Sequence, residues 1–209
     1  MKNILIVEDE TLVAQGLAQI VRRKMNETVS GVDLAQSAED CIANMGDKEY
    51  DLVLIDIRLP DMTGPELAEY VRQHHPKTRI LMISALCTPF ICYQLTRLKV
   101  DGFVHKLESM ETFVNAISSV LAGEPSFCSN FIAENRRLNT VENSFTKLLG
   151  DRELQVLQYF VTGMRDSDIA ERMNISVRTV ETHRYNMLKK LDLPDKAALR
   201  QYAEDMGIF

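Results

Sequence analysis

Residues 52–67 read LVLIDIRLPDMTGPEL. Four apolar residues, Leu52 to Ile55, end directly on Asp56, and an amphipathic stretch of helical length follows at 65–75. A short, continuous apolar run of this kind suits a strand covered on both faces. The alternation repeats on either side. Apolar runs stand at 4–7 (ILIV), 29–35 (VSGVDLA), 79–84 (RILMIS) and 102–105 (GFVH). Amphipathic stretches fill 11–25, 37–45, 89–99 and 109–122, and Gly123-Glu124-Pro125 stops the last of them. Five strand–helix repeats predict an α/β doubly wound, five-stranded parallel sheet over residues 1–123. Such sheets gather ligands at the carboxyl ends of their strands.

Polar groups stand at those ends. Glu8 and Asp9 follow the first run, Asp56 the third; Ser84 closes the fourth, and Lys106 follows the fifth. Each alone also fits a turn residue, a cap or a solvated charge. Together, in order and each at a strand end, they point to chemistry. Three converging carboxylates repel unless a cation is present, and an all-oxygen site suits Mg²⁺. The fitting reaction is phosphoryl transfer to a carboxylate. Asp56 is the nucleophile. Glu8, Asp9, Asp56 and the backbone carbonyl of Arg58 are the metal ligands. Lys106 pairs with the phosphoryl charge and Ser84 hydrogen-bonds a phosphate oxygen.

The remaining chain changes character. Residues 124–148 mix Pro, Ser, Asn and charge, with one amphipathic patch at 130–138, and read as a linker. Residues 149–209 hold no strand pattern but four helical pieces, 151–162, 166–173, 177–191 and 195–206, separated by Gly163, Asn174-Ile175-Ser176 and Leu193-Pro194-Asp195. Ser176 is a good N-cap for the third. There Val177, Val180, Met187, Leu188 and Leu191 are expected to face inward, and Arg178, Thr182, Tyr185 and Lys189 to share an outward face. A short helix, a tight turn and a longer helix with a polar, partly basic face predict an all-α, four-helix, helix-turn-helix domain.

Charge and composition fit this division. Of the 209 residues, 45% are hydrophobic and 26% charged, as in ordinary globular proteins. The net charge of −6 divides into −5 over residues 1–123, 0 over 124–149 and −1 over 150–209. Within 176–191, Arg178, Arg184, Lys189 and Lys190 against Glu181 make a local +3, a weakly basic face for nucleic acid. No apolar run approaches the roughly 20 residues of a membrane span, and MKNILIVEDE reads as a first strand rather than a leader. Cys41, Cys87, Cys92 and Cys128 show no metal spacing and suit reduced residues of a cytoplasmic protein.

The strings ILIVEDE, LVLIDIRLPDMTGPEL, ILMISA and VDGFVHK resemble the receiver domain of two-component response regulators. Residues 149–206 resemble the LuxR-type output domain of the NarL/FixJ family, through Arg152-Glu153, Gly163, Asp168-Ile169-Ala170, Ile175-Ser176, Thr179-Val180, His183 and Lys190-Leu191. The resemblance implies the strand-end roles argued above and adds Phe103, the aromatic that turns inward when Ser84 engages phosphate. It further implies a cognate histidine kinase or phosphotransfer protein as donor, double-stranded DNA as target and a homodimer when phosphorylated. Departures are Glu8 for the commoner Asp, Ser84 for Thr, Leu107 for Pro, Gly150 for the Thr that opens the output domain, and Glu181 and Tyr185 where bases are common. Backbone contacts then fall to Arg178, Thr179, Lys189 and Lys190, base reading to Glu181, Thr182 and Tyr185, and His183 serves either phosphate contact or packing. The expected function is phosphorylation-dependent transcriptional regulation, with enzymatic activity limited to self-catalysed aspartyl phosphorylation and dephosphorylation. The rivals are a constitutive DNA binder with a docking-only receiver, and a phosphatase or phosphotransfer enzyme using the acidic site.

Overall fold

A computed structural model describes the chain over residues 1–140 and 144–208; residues 141–143 of the expected linker, and residue 209, lie outside that range. The described residues form two compact units. One comprises Met1–Cys87 and Gln94–Ile132, the other Thr88–Tyr93 and Ala133–Phe209. Residues 88–93 thus group with the second unit. There the Phe90 and Tyr93 rings lie 6.1 and 5.6 Å from that of Phe145.

The first unit runs β1 (Lys2–Val7), α1 (Thr11–Lys24), β2 (Val29–Ala35), α2 (Ala38–Asp47), β3 (Leu52–Asp56), α3 (Gly64–His74), β4 (Arg79–Ser84), α4 (Pro89–Leu98, shared between units), β5 (Gly102–His105), α5 (Met110–Ala122) and β6 (Ser126–Phe127). The sheet order is β2-β1-β3-β4-β5-β6, every pairing parallel. Ile4, Ile6, Leu52, Leu54, Leu81, Ile83 and Val104 pack with Ala18 and Val21 of α1 and Phe113, Ala116, Ile117 and Val120 of α5. The alternate residues Leu5, Val53, Ile55 and Met82 are equally buried, so both faces are covered and the strands read as unbroken apolar runs.

The sheet has six strands, where the sequence pattern implied five. The extra strand is two residues long, too short for any periodicity to announce it. Gly102 makes room: a Cβ there would meet the Ser126 carbonyl at 2.4 Å. The β5 edge, with its open ladder groups, is filled by Ser126 N–H donating to Asp101 O (3.0 Å) and Cys128 N–H donating to Phe103 O (3.1 Å).

At this same end of β5, Asp101 accepts from Arg79 (2.8 Å), Arg72 (3.0 Å) and the Ile80 amide (2.9 Å). Burial raises its pKa, but these donors prevail and hold it below the ordinary carboxylate range. A depressed carboxylate contributes stability above its unfolded pKa and loses it as pH falls through the folded value. Asp101→Asn is expected to cost about 1–2 kcal/mol at neutral pH, reduced because both arginines are partly exposed. The difference from wild type, read as urea midpoints of the receiver, should shrink towards acid pH.

Beyond β6 come α6 (Ser129–Thr140), which covers the expected patch, and α7 (Phe145–Leu148). The second unit continues with α8 (Asp151–Val161), α9 (Asp166–Met173), α10 (Val177–Lys190) and α11 (Lys196–Met206). With Gly150 in place of a hydroxyl residue, α8 is capped from within: Glu153 Oε2 accepts from the Gly150 amide at 2.8 Å. Asn174 takes the left-handed conformation (φ 53°) that ends α9. Ser176 Oγ accepts from Thr179 N–H at 3.0 Å and starts α10. Leu154, Val156, Leu157, Ile169, Val180, Met187, Leu199 and Ala203 form the core. Val177, expected inward, is 43% exposed. As the first helical residue it lies a turn short of the core contacts made by Val180.

Candidate functional site

Three strand ends are joined in register, Asp56 beside Ile83 and Ser84 beside His105, so Asp56, Ser84 and Lys106 emerge at one edge. β1 supplies Glu8 and Asp9 next to them. One carboxylate oxygen from each of Glu8, Asp9 and Asp56 lies within 4.8 Å of the others. Lys106 Nζ stands 2.7 Å from Glu8 Oε2 and 3.2 Å from Asp56 Oδ2. The Ile57 amide donates to Asp56 Oδ1 at 2.9 Å, and Ser84 Oγ accepts from the Leu86 amide at 3.1 Å. Glu8 and Ser84 are buried, and Asp9 is exposed.

Burial holds the Glu8 carboxyl above its usual range; Lys106 opposes that rise and the Asp56 charge adds to it. Asp56 is raised by burial and by Asp9, against Lys106 and the Ile57 amide. Burial lowers Lys106, but its contacts with Glu8 and Asp56 outweigh this and raise it. Three carboxylates gather here around one lysine, and their all-oxygen donors fit a hard divalent cation.

The loop after Asp56 adds parts that residue type alone did not mark. A Cβ on Gly64 would meet the Asp56 carbonyl oxygen at 2.1 Å, so only glycine lets α3 begin against the Asp56 backbone. Arg58 bridges Thr63 across this loop. Asp61 accepts from the Ala38 and Glu39 amides at 3.0 and 2.9 Å, tying the loop to α2. Phe103, on β5, is fully buried.

Two family descriptions match the chain: the response regulator receiver domain over residues 4–118, and the bacterial regulatory proteins of the luxR family over residues 147–203. The chain belongs to the response regulators. It is 28% identical to the uncharacterized transcriptional regulatory protein YxjL of Bacillus subtilis, covering 99% of this chain and 96% of that one. It is 25% identical to the response regulator protein VraR of Staphylococcus aureus, covering 96% and 95%. Its fold is similar to that of RcsB from Salmonella enterica serovar Typhimurium bound to promoter rprA, with a TM-score of 0.70 at 21% identity over 97% of this chain and 98% of that one. A receiver followed by a luxR-type DNA-binding domain makes this response regulator a two-component transcriptional regulator rather than a typical enzyme. No helix among its described residues is long and apolar enough to cross a membrane.

In the response regulator's second unit, Arg178, Glu181, Thr182, Tyr185 and Lys189 are exposed on α10, while Thr179 and His183 are half-buried. Thr182 Oγ1 donates to Arg178 O at 2.8 Å. The local charge is smaller than the residue count suggests. Arg184 is buried and bridges both oxygens of Asp166, with Nη2–Oδ2 at 2.6 Å. Lys190 Nζ lies 2.7 Å from Glu153 Oε2. These two cations hold α10 against α9 and α8. The outward charges are Arg178 and Lys189, against Glu181.

Proposed function

We propose that Asp56 accepts a phosphoryl group from the phosphohistidine of a kinase or phosphotransfer protein, and that the modification controls DNA binding by the residue 149–209 domain, with residues 124–148 as linker. One carboxylate oxygen of Asp56 forms the new P–O bond as the donor's P–N bond breaks, and the imidazole leaves with a proton. Glu8, Asp9, Asp56 and the Arg58 carbonyl would hold Mg²⁺, which neutralises the charge of carboxylates and phosphoryl oxygens. Lys106 leaves its present partners to pair with a phosphoryl oxygen, and the Ser84 hydroxyl donates to another. Hydrolysis of the acyl phosphate by water at the same site returns the resting state, so the self-catalysed chemistry is confined to this cycle.

The observation that carries this reading is the position of Lys106, within ion-pair reach of both Glu8 and Asp56 while Asp9 completes the carboxylate cluster. A receiver kept only for docking has no need of the full set. On the DNA side, Arg178, Thr179 and Lys189 contact phosphates, with His183 beside them; Glu181, Thr182 and Tyr185 face base edges. Lys190 joins them only by leaving Glu153. Few outward cations make a single module bind weakly, so a phosphorylated homodimer on an inverted repeat is the working form. RcsB, similar in fold, is described as dimers bound to DNA.

The test is DNA selection with purified protein, with and without acetyl phosphate and Mg²⁺, followed by sedimentation on the selected site. Two protomers per site, formed at lower protein concentration after phosphorylation, are expected. One protomer per site in both states overturns the dimer, and unchanged affinity overturns phosphorylation control. Lys106→Ala is expected to accept phosphoryl yet lose most of the phosphorylation-induced gain in DNA affinity, because the differential contact that biases the active state is gone.

Arg178→Ala and Lys189→Ala should each weaken binding to all DNA alike and reduce the slope of log K against log salt by about one. Arg184→Gln, by contrast, should leave that slope unchanged per folded molecule, because its charge is spent on Asp166. Titrations at several salt concentrations read both.

A further inference from the structure

We propose that residues 126–131 form a strap that docks on the β5 edge in step with the phosphorylation switch, so that phosphoryl on Asp56 and docking of the strap favour each other. This inference rests on the reading of Asp56, Lys106 and Phe103 as the switch.

The strap is held on two sides. Its backbone completes the sheet through the Ser126 and Cys128 amides, which donate to Asp101 and Phe103 carbonyls at 3.0 and 3.1 Å. Its side chains close over the switch aromatic. The Phe131 ring stacks on Phe103 at 5.5 Å and on Phe127 at 4.7 Å, and Phe103 and Phe131 are 0% and 3% exposed. The inward position of Phe103 is therefore a shared property of β5 and the strap. Phe103 cannot turn out of this place without parting the stack with Phe131.

The other end of the same strand belongs to the phosphoacceptor site. Lys106 N–H donates to Ser84 O at 2.8 Å, and Ser84 pairs with His105 across β4 and β5. Lys106 is three residues from Phe103, so a pull on Lys106 and Ser84 by phosphate acts on the strand that the strap grips. Aromatic cores of this kind favour two discrete packings over continuous deformation. A two-residue strand with two ladder bonds is also small enough to open locally while the five longer strands stay closed. In the covalent chain the strap leads directly out of the receiver towards the luxR-type domain, which is where a signal has to pass.

Hydrogen exchange on the full-length protein tests this, with acetyl phosphate and Mg²⁺ as phosphodonor and intact mass to record occupancy of Asp56. Exchange at the Ser126 and Cys128 amides should slow about tenfold on phosphorylation, within the usual range of coupling between sites, while the amides of Ile4–Val7 stay unchanged. In Phe131→Ala both strap amides should exchange rapidly and no longer respond. Phe131→Leu, which keeps most of the apolar bulk and loses the ring, should respond partially and guards against a variant that does not fold. If mass shows phosphoryl on Asp56 but the strap amides do not change, or if Phe131→Ala still responds in full, the strap plays no part in the switch. If no phosphoryl is incorporated, the reading of Asp56 itself falls and the strap's role with it.

Discussion

Asp56→Asn is expected to abolish the acid-labile phosphoryl that wild type should take from acetyl phosphate in the presence of Mg²⁺; this is the largest effect expected of any single substitution in the receiver. The amide keeps the shape of the carboxylate, and its oxygen can still accept from the Ile57 amide as Asp56 Oδ1 does now at 2.9 Å. It lacks the anionic nucleophile, and it is a poorer partner for Lys106, now 3.2 Å from Asp56 Oδ2. Stability should move the other way. Burial and the Asp9 charge raise the Asp56 carboxyl, so the folded receiver disfavours its charged form, and a neutral isostere relieves that cost. A gain of roughly 0.5–2 kcal/mol, the scale of stability given up at functional sites, is expected at neutral pH. Intact mass after acetyl phosphate treatment reads the first effect and urea denaturation the second. Incorporation at the wild-type rate would show that another group is the nucleophile. Omitting Mg²⁺ from wild type should give the same loss of incorporation without the gain in stability.

Arg184→Ala should destabilise the DNA-binding unit by about 2–4 kcal/mol. Arg184 is 5% exposed, bonds Asp166 through both terminal guanidinium nitrogens and lies 5.6 Å from the centre of the Phe160 ring. Its loss leaves Asp166, now held below the ordinary carboxylate range by that contact, without its partner, and opens space beside Phe160. The upper end for broken buried pairs is not reached because Asp166 is partly exposed. Lysine should not restore stability, since a single ammonium cannot form the two-pronged bond or stack on the ring. Urea melts should show an earlier transition for this unit and an unmoved one for the receiver. A variant as stable as wild type would mean that the pair is replaceable by water.

Arg184 also shows what a sequence conveys and what it conceals. It stands four residues after Val180 and three before Met187, so helical periodicity puts it on the buried face; its charge suggested the opposite. Glu153, 6% exposed, stands likewise three before Val156 and four before Leu157. The basic face of α10 is smaller than the local +3 implied, because Arg184 and Lys190 pair with Asp166 and Glu153 of other helices, and that pairing exists only once the helices pack.

By itself the sequence determined the strand-end constellation. Each apolar run that enters a buried parallel strand must end where the chain meets water, and Glu8, Asp9, Asp56, Ser84 and Lys106 stand at those ends, so topology alone carries them to one edge. It also determined the boundaries of α8 to α11, because caps and turns such as Ser176, Asn174 and Asp195 act locally. Tertiary structure alone decided the rest. The two-residue β6 has no period of its own and forms because β5 offers an unfilled edge with a glycine beside it. Val177 faces water because, as the first residue of α10, it lies a turn short of the core contacts made by Val180. The grouping of residues 88–93 with the second unit follows from aromatic contacts with Phe145, more than 50 residues along the chain, a distance at which local propensity says nothing and only packing does.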